Sequence, residues 1–380
     1  MNPENEQTFL LNDLLRNRID RSNGWIPFDL FFNTVMYEPG LGYYSSGSYK
    51  IGEGGDYTTA PEISKYFSKS IANQTMRLLD MHDSPSVIEI GAGKGTFAFE
   101  YLKALRETKT EIEHYYILEI SADLRDRQMQ LISSLPEDLR NKVTWLESLD
   151  IEPIDGIVLA NEVIDALPFK RFCIENKQVY ELGITYSDGA FKVSKKESSK
   201  KLRDQVEAIS VEIERKIEDG FTSEIRLDFH KWFRSISSLI RKGSMIFIDY
   251  GYDRNDFYRP ERSSGNMICH YQNQIIQDPL KNIGQQDISA SVDFTQLANS
   301  AIKEGFFIDL FTTQSMFLLS EQSLSMIMDI EKDEERIMEI QKLKQLVMPN
   351  QMGDVFKCMV MGKGISPDNF EELSHLNHTL

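Results

Sequence analysis

Val87-Ile88-Glu89-Ile90-Gly91-Ala92-Gly93-Lys94-Gly95-Thr96 is the stretch around which this 380-residue chain is organised. Val87 to Ile90 form a short apolar run of the kind a buried parallel strand needs. Glycines 91, 93 and 95 allow φ > 0 and let the backbone come close to a ligand. From Thr96 the pattern turns helical, with Phe97, Tyr101, Leu102 and Leu105 spaced along one buried face. A strand, a glycine turn and a helix in that order present free N–H groups to a nucleotide-like ligand.

The spacing narrows the ligand. A dinucleotide fingerprint counted from Gly91 needs Gly or Ala at position 96, where the chain has Thr96. The pattern E-x-G-x-G-x-G (89–95) instead resembles motif I of class I S-adenosylmethionine (SAM) methyltransferases. A second strand, Tyr115-Tyr116-Ile117-Leu118, ends in Glu119, placed to take two ribose hydroxyls as a bidentate acceptor. Glu89 is within reach of the amino-acid end of such a cofactor. A glycine turn in another α/β protein, with Glu119 merely solvated, is the alternative.

Strands at 86–90, 115–119, 142–146 and 155–160 alternate with helices at 95–106 and 122–134. This order predicts an α/β fold with a doubly wound parallel sheet, whose ligands sit at the carboxyl ends of strands near the switch in strand order. Glu89, Glu119, Leu146-Glu147-Ser148 and Asn161 all fall at such ends. After the fourth strand comes Asn161-Glu162-Val163-Ile164-Asp165-Ala166-Leu167-Pro168. A helical turn there would put the carboxylates of Glu162 and Asp165 on one side, either to meet an acceptor or simply to stabilise a helix N-terminus.

Composition sets bounds. A hydrophobic content of 41% is ordinary for a globular protein, and no apolar run approaches the roughly 18 residues of a membrane span. A formal net charge of −17 argues against non-specific nucleic-acid binding and suits a basic substrate or simply a solvated surface. The N-terminus has no signal or transit pattern, so a cytoplasmic location is expected, or the mitochondrial matrix if an import signal has been removed. Cys173, Cys269 and Cys358 are odd in number and far apart, which fits reduced thiols. No metal site is expected, since His375 and His378 sit in a polar tail.

The remaining chain reads as helices at 9–20 and 27–36, a glycine- and hydroxyl-rich loop at 52–64, and a helix that Pro61 starts. Residues 169–195 read as strands with Asp188-Gly189 as a hairpin turn, and 197–218 and 223–241 as helices. Core strands resume at 244–250, 306–311 and 355–361, the last two as a closing antiparallel pair. A helical insert at 322–346 carries a stripe of Met326, Ile330, Ile337, Ile340 and Leu343. The division expected is a cap with a cofactor-flanking loop (1–84), a first core half (85–168), an inserted substrate-side subdomain (169–242), a second core half (243–363) and a polar tail (364–380).

Several segments together resemble the MidA-like SAM-dependent methyltransferases. They include Y-E-P-G-L-G-Y-Y-S (37–45), G-D-Y-T-T-A-P-E-I-S (55–64), V-I-E-I-G-A-G-K-G-T (87–96), N-E-V-I-D-A-L-P (161–168), I-D-Y-G-Y (248–252) and Q-D-I-S-A-S-V-D-F-T (286–295). The 55–64 and 161–168 segments are specific to that family. Departures are Ser68 in place of a usual glycine, and Gln272-Asn273-Gln274 where basic or histidine residues are usual.

The resemblance implies a class I seven-stranded sheet with an N-terminal helical cap and an inserted hairpin-plus-helices subdomain. It implies SAM as cofactor, with Gly55, Tyr57, Pro61, Glu62, Glu89, Gly91, Ala92, Gly93, Glu119, Ile120, Ser148 and Asn161 as the binding set. Asn161, Glu162 and Asp165 become the catalytic candidates, with Tyr57, Asp249 and Tyr250 behind them. Mitochondrial members of the family are complex I assembly factors and protein arginine methyltransferases. A protein substrate is therefore expected, such as a respiratory complex I subunit or its bacterial counterpart; a homodimer is compatible with the sequence. Two other classes stay open: a SAM-binding assembly chaperone without turnover, and an NAD- or nucleotide-dependent α/β oxidoreductase.

Overall fold

Ser86–Ile90 (β1) is buried at every residue, as expected of a strand with a neighbour on each side. The computed structural model describes residues 3–45, 58–319, 328, 330–367 and 369–370. β1 pairs parallel with Tyr115–Leu118 (β2) on one side and with Ile154–Asn161 (β4) on the other. β2 pairs parallel with Val143–Leu146 (β3). β4 pairs parallel with Ile240–Tyr252 (β5). Phe307–Thr313 (β6) and Phe356–Lys363 (β7) close the sheet, β7 running antiparallel to both β5 and β6. Seven strands thus follow the order β6-β7-β5-β4-β1-β2-β3, and a short eighth lies off this path. Among the described residues the count is therefore eight rather than the expected seven. The order reverses between β1 and β4, and open α/β sheets bind ligands at the carboxyl ends of the strands at such a switch.

Helices cover the sheet where their apolar spacing allows. Thr96–Thr108 (α2) buries Phe97, Ala98, Tyr101, Leu102 and Leu105 and stops at Lys109, whose φ of +61° ends the helix in a left-handed cap. Lys65–Leu79 (α1) packs on it, with the Phe67 and Phe97 rings 6.1 Å apart edge to face and Phe97 stacked on Tyr101 at 5.3 Å. Ala122–Ile132 (α3) starts at Ser121, whose hydroxyl caps the Leu124 N–H.

The chain divides into two compact units, one of residues 58–163, 230–251 and 294–380, the other of residues 1–57, 164–229 and 252–293. These boundaries differ from the expected ones. Residues 58–84 pack within the sheet unit, because Phe67, Ile71, Leu78 and Leu79 join the same apolar core as Val87 and Phe97. Residues 252–293 belong with the other unit.

That second unit has a five-stranded sheet and a three-stranded one. Its hairpins turn on residue pairs with φ > 0: Asn176-Lys177, Asp188-Gly189 and Gln272-Asn273. Asp188-Gly189 is legible from sequence. The Gln272-Asn273 departure now has a physical role, as the two-residue turn between Met267–Tyr271 and Gln274–Ile276. The expected helix at 223–241 is instead a strand, Thr222–Ile225, paired to Lys170–Glu175, followed by the shorter helix Phe229–Ser237. The β-branched Thr222 and Ile225 favour the strand.

The expected insert at 322–346 is described as a helix from Asp333 to Val347 (α4), with three acidic residues in its first turn. Ile340 and Leu343 pack with Tyr66, whereas Ile337 is exposed; Met326 lies outside the described residues.

Phe67 supplies a test of the revised boundary. Phe67→Ala empties a fully buried ring site and should cost about 3–5 kcal/mol. With Trp25 replaced by Phe, Trp145 and Trp232 of the sheet unit report denaturant unfolding. Their midpoint should fall; an unchanged midpoint would show that 58–84 folds apart from the sheet.

Candidate active site

The turn after β1 is built from left-handed backbone, with φ of +67° at Gly91, +54° at Gly93 and +86° at Gly95. The three glycines serve different ends. The Gly91 N–H donates to the Leu118 carbonyl at 2.9 Å, tying the turn to β2, and a Cβ there would meet Val163 at 3.0 Å. A Cβ at Gly95 would meet the Gln128 side chain at 3.2 Å. Of the three, only Gly93 has nothing within 4 Å of that position among the described residues. The close approach expected of all three toward a ligand is, at 91 and 95, an approach to the protein itself. Gly93 is the one left open among the described residues. Ala92 between them is buried.

Glu119 stands just beyond the carboxyl end of β2. Its carboxylate accepts the Ser121 N–H at 2.9 Å and Gln128 Nε2 at 3.1 Å. Burial pushes its pKa up, and those hydrogen bonds oppose the rise. Next to it Ile120 is 78% exposed, an apolar side chain held at a strand end with nothing to cover it among the described residues. Gln128 was not among the expected residues. Its only sequence signal is a polar residue four positions before Ile132, on the buried face of α3.

Glu89 is buried and its carboxylate accepts the Tyr115 hydroxyl at 2.7 Å. Burial pushes its pKa up to about 8, against the lowering effect of that hydrogen bond, with the Glu119 charge adding to the rise. At the carboxyl end of β4, the Asn161 side-chain amide donates to Glu162 at 3.2 Å. Asn161 Oδ1 is buried and has no hydrogen-bond partner among the described residues.

Glu162 has a φ of +52°, a conformation that a residue with a long side chain adopts at a cost of about 1–3 kcal/mol. Its N–H is anchored on the Ile248 carbonyl at 2.9 Å. The expected helical turn over 162–165 does not form, because left-handed Glu162 diverts the chain. The rationale that placed the Glu162 and Asp165 carboxylates on one helical side is therefore wrong. Asp165 belongs to the other compact unit, where its carbonyl accepts Arg226 at 3.1 Å and the Ala290 N–H at 3.2 Å.

The remaining expected residues divide. Glu62 forms an ion pair with Lys94 of the glycine turn at 3.5 Å, and Pro61 beside it is buried. Ser148 is exposed, and its hydroxyl accepts the Asp150 N–H at 3.2 Å. Asp249 is buried and accepts the Tyr250 N–H at 2.9 Å. Gly55 and Tyr57 lie outside the described residues.

Taken together, and among the described residues, the sheet unit offers open space over Gly93, an acidic acceptor beside an exposed apolar side chain, and a buried unpartnered amide oxygen at the end of β4. That donor and acceptor set fits a molecule with a ribose, an aromatic base and a cationic amino-acid end. Comparison with known proteins agrees. Residues 70–312 match a family of S-adenosyl-L-methionine-dependent methyltransferases, and the chain belongs to that family.

Among solved structures, a COG1565 superfamily member from Burkholderia thailandensis bound to S-adenosyl-homocysteine has a TM-score of 0.92. It is 28% identical, over 100% of this chain and 98% of that one. Among curated relatives, the mitochondrial protein arginine methyltransferase NDUFAF7 homolog of Drosophila melanogaster is 25% identical, covering 90% of this chain and 83% of its own length. The Homo sapiens protein arginine methyltransferase NDUFAF7 is 22% identical, covering 94% and 84%. Among the described residues no helix is long and apolar enough to cross a membrane.

Glu89 gives the site a pH signature. Between the ordinary value of 4.5 and the folded value of about 8, the folded protein keeps a proton that the unfolded chain has released. Stability from this group therefore falls as pH rises through that window. Glu89→Gln, uncharged throughout, should match the parent near pH 5 and exceed it by a few kcal/mol, at most, near pH 8. Melting temperatures of both proteins without cofactor between pH 5 and 8 check this; parallel curves would contradict it.

Proposed function

We propose that this methyltransferase transfers the SAM methyl group to a guanidinium nitrogen of an arginine on a protein partner. The observation that carries the proposal is Glu162. A carboxylate held in a strained left-handed conformation at a strand end, steadied by Asn161, is hard to explain by packing. Names of the curated relatives, at 22–25% identity, support the same acceptor class. A respiratory complex I subunit, or its bacterial counterpart, is the first acceptor to try on the family resemblance.

The residues proposed to hold SAM are Gly91, Ala92 and Gly93 under the amino-acid end, Glu119 on the ribose hydroxyls and Ile120 against the base. Asn161 Oδ1 accepts from the cationic end. Glu62, Glu89 and Ser148 line the same crevice in this reading, with Pro61 in the short helix Ala60–Ile63 beside Glu62. Bound SAM supplies an electrophilic methyl on a positively charged sulfur. Arginine is a poor nucleophile because its guanidinium is protonated and delocalised. The Glu162 carboxylate accepts guanidinium N–H groups, localises positive charge on the nitrogens it grips and orients the free one. Asn161 fixes the rotamer of Glu162. Catalysis of this kind is mostly positioning and exclusion of water.

Two substitutions separate clamp from scaffold. Glu162→Gln keeps shape but removes charge, so methyl transfer should fall at least about tenfold, roughly 1.4 kcal/mol, with SAM affinity near normal. Glu162→Gly relieves the left-handed strain, so it should lose transfer while melting no lower than the parent. Radiolabelled methyl transfer into host lysate, with acid hydrolysis of the labelled protein, identifies the acceptor as methylarginine. A fully active Glu162→Gln enzyme would end the clamp, and label on another amino acid would end the arginine reading.

At the cofactor end, Glu119→Ala should weaken SAM binding by about 1–3 kcal/mol, since two hydroxyls lose a charged acceptor. Calorimetry with unchanged affinity would remove Glu119 from the ribose site.

A further inference from the structure

Gln128 is the buried side chain at this site whose hydrogen-bonding capacity is most fully accounted for. It is 0% exposed. Its Nε2 donates to the Gly93 carbonyl at 2.8 Å and to Glu119 Oε2 at 3.1 Å, and its Oε1 accepts Trp145 Nε1 at 2.9 Å. The amide orientation is fixed chemically. Indole N–H can only donate, so the oxygen must face Trp145 and both amide protons point at the glycine turn and at Glu119. Gly95 has no Cβ, which leaves room for the Gln128 stem: a Cβ there would stand 3.2 Å from it.

We infer that Gln128 is a positioning residue that sets ribose recognition, acting through Glu119 and the Gly93 carbonyl. The inference rests on the reading that Glu119 takes the ribose hydroxyls. One oxygen of Glu119 is held by the Ser121 N–H and the other by Gln128. The carboxylate plane is thereby fixed before any ligand arrives, so a bidentate contact to two hydroxyls needs no reordering. The same amide pins the carbonyl of Gly93, the glycine left open among the described residues. Ribose acceptor and glycine turn are thus held at one fixed separation by a single side chain. No other amino acid supplies two donors in that fork together with an acceptor for the indole, apart from the shorter asparagine.

The test uses the full chain and S-adenosylhomocysteine, with its 2′-deoxy and 3′-deoxy analogues, by calorimetry. The parent should prefer the ribose form over each deoxy analogue. Gln128→Leu should bind S-adenosylhomocysteine at least tenfold more weakly, with the preference shrinking to within about twofold. Gln128→Glu puts a second carboxylate against Glu119, so its affinity should recover as pH falls from 8 to 5, while that of the parent does not. Gln128→Asn, which keeps the amide but is one methylene short, gives a foldable alternative and should also lose the ribose preference.

Weakened binding with the ribose preference intact, or a pH-independent Gln128→Glu, would make Gln128 a packing residue and overturn the inference. Unchanged affinity in all three variants would overturn it too. Failure of the underlying reading looks different, because Glu119→Ala would then leave both affinity and ribose preference at parental values.

Discussion

Three left-handed backbone positions at 91, 93 and 95 turn β1 into α2, and the geometry of the site depends on that turn. Side chains are poorly tolerated there, for reasons of backbone conformation and, at two positions, of space. The turn must reverse the chain within a few residues because β1 is central, with parallel partners on both sides. A longer connection would crowd the carboxyl ends of β1 and β4, where the strand order reverses. The restriction thus acts through topology: the sheet supplies the place, and the glycines keep it clear.

Around that turn the sheet unit carries two costs that a purely structural protein would avoid. Glu89 is a carboxyl buried against tyrosines, and its preference for the protonated form at neutral pH measures how poorly an anion is tolerated there. Glu162 is a non-glycine residue in left-handed backbone. Both lie at the carboxyl ends of neighbouring strands; in the proposed reading the first lines the SAM crevice and the second grips the acceptor. Gln128 is the opposite case, a buried polar group whose donors and acceptor are matched and which therefore stiffens its surroundings.

Much of this was legible in the sequence. The core strands and their alternation with helices follow from short β-rich runs, and Asp188-Gly189 announces its hairpin. The place of Glu119 was legible too: it directly follows a four-residue strand, at the carboxyl end of β2. The rest depends on pairing that local patterns do not carry. Thr222–Ile225 reads as helical beside the amphipathic 229–237, and its β-branched ends become decisive once Lys170–Glu175 offers it an edge. Gln272-Asn273 has weaker turn chemistry than Asp-Gly, so its hairpin was hidden. The spacing of Glu162 and Asp165 suggested a helical turn, and a single left-handed residue removed it. Gln128 is the clearest omission: a glutamine in a helix is ordinary in sequence, and its role appears only when the Gly93 carbonyl, Glu119 and Trp145 meet around it.

The measurement that tests this account most directly is a crystal structure of the chain with S-adenosylhomocysteine. The account predicts both ribose hydroxyls within hydrogen-bonding distance of the Glu119 carboxylate. It also predicts the homocysteine chain over Gly93 and the base against Ile120, with the Gln128 contacts unchanged. A ligand bound elsewhere, with Glu119 still engaged only by Ser121 and Gln128, would contradict it.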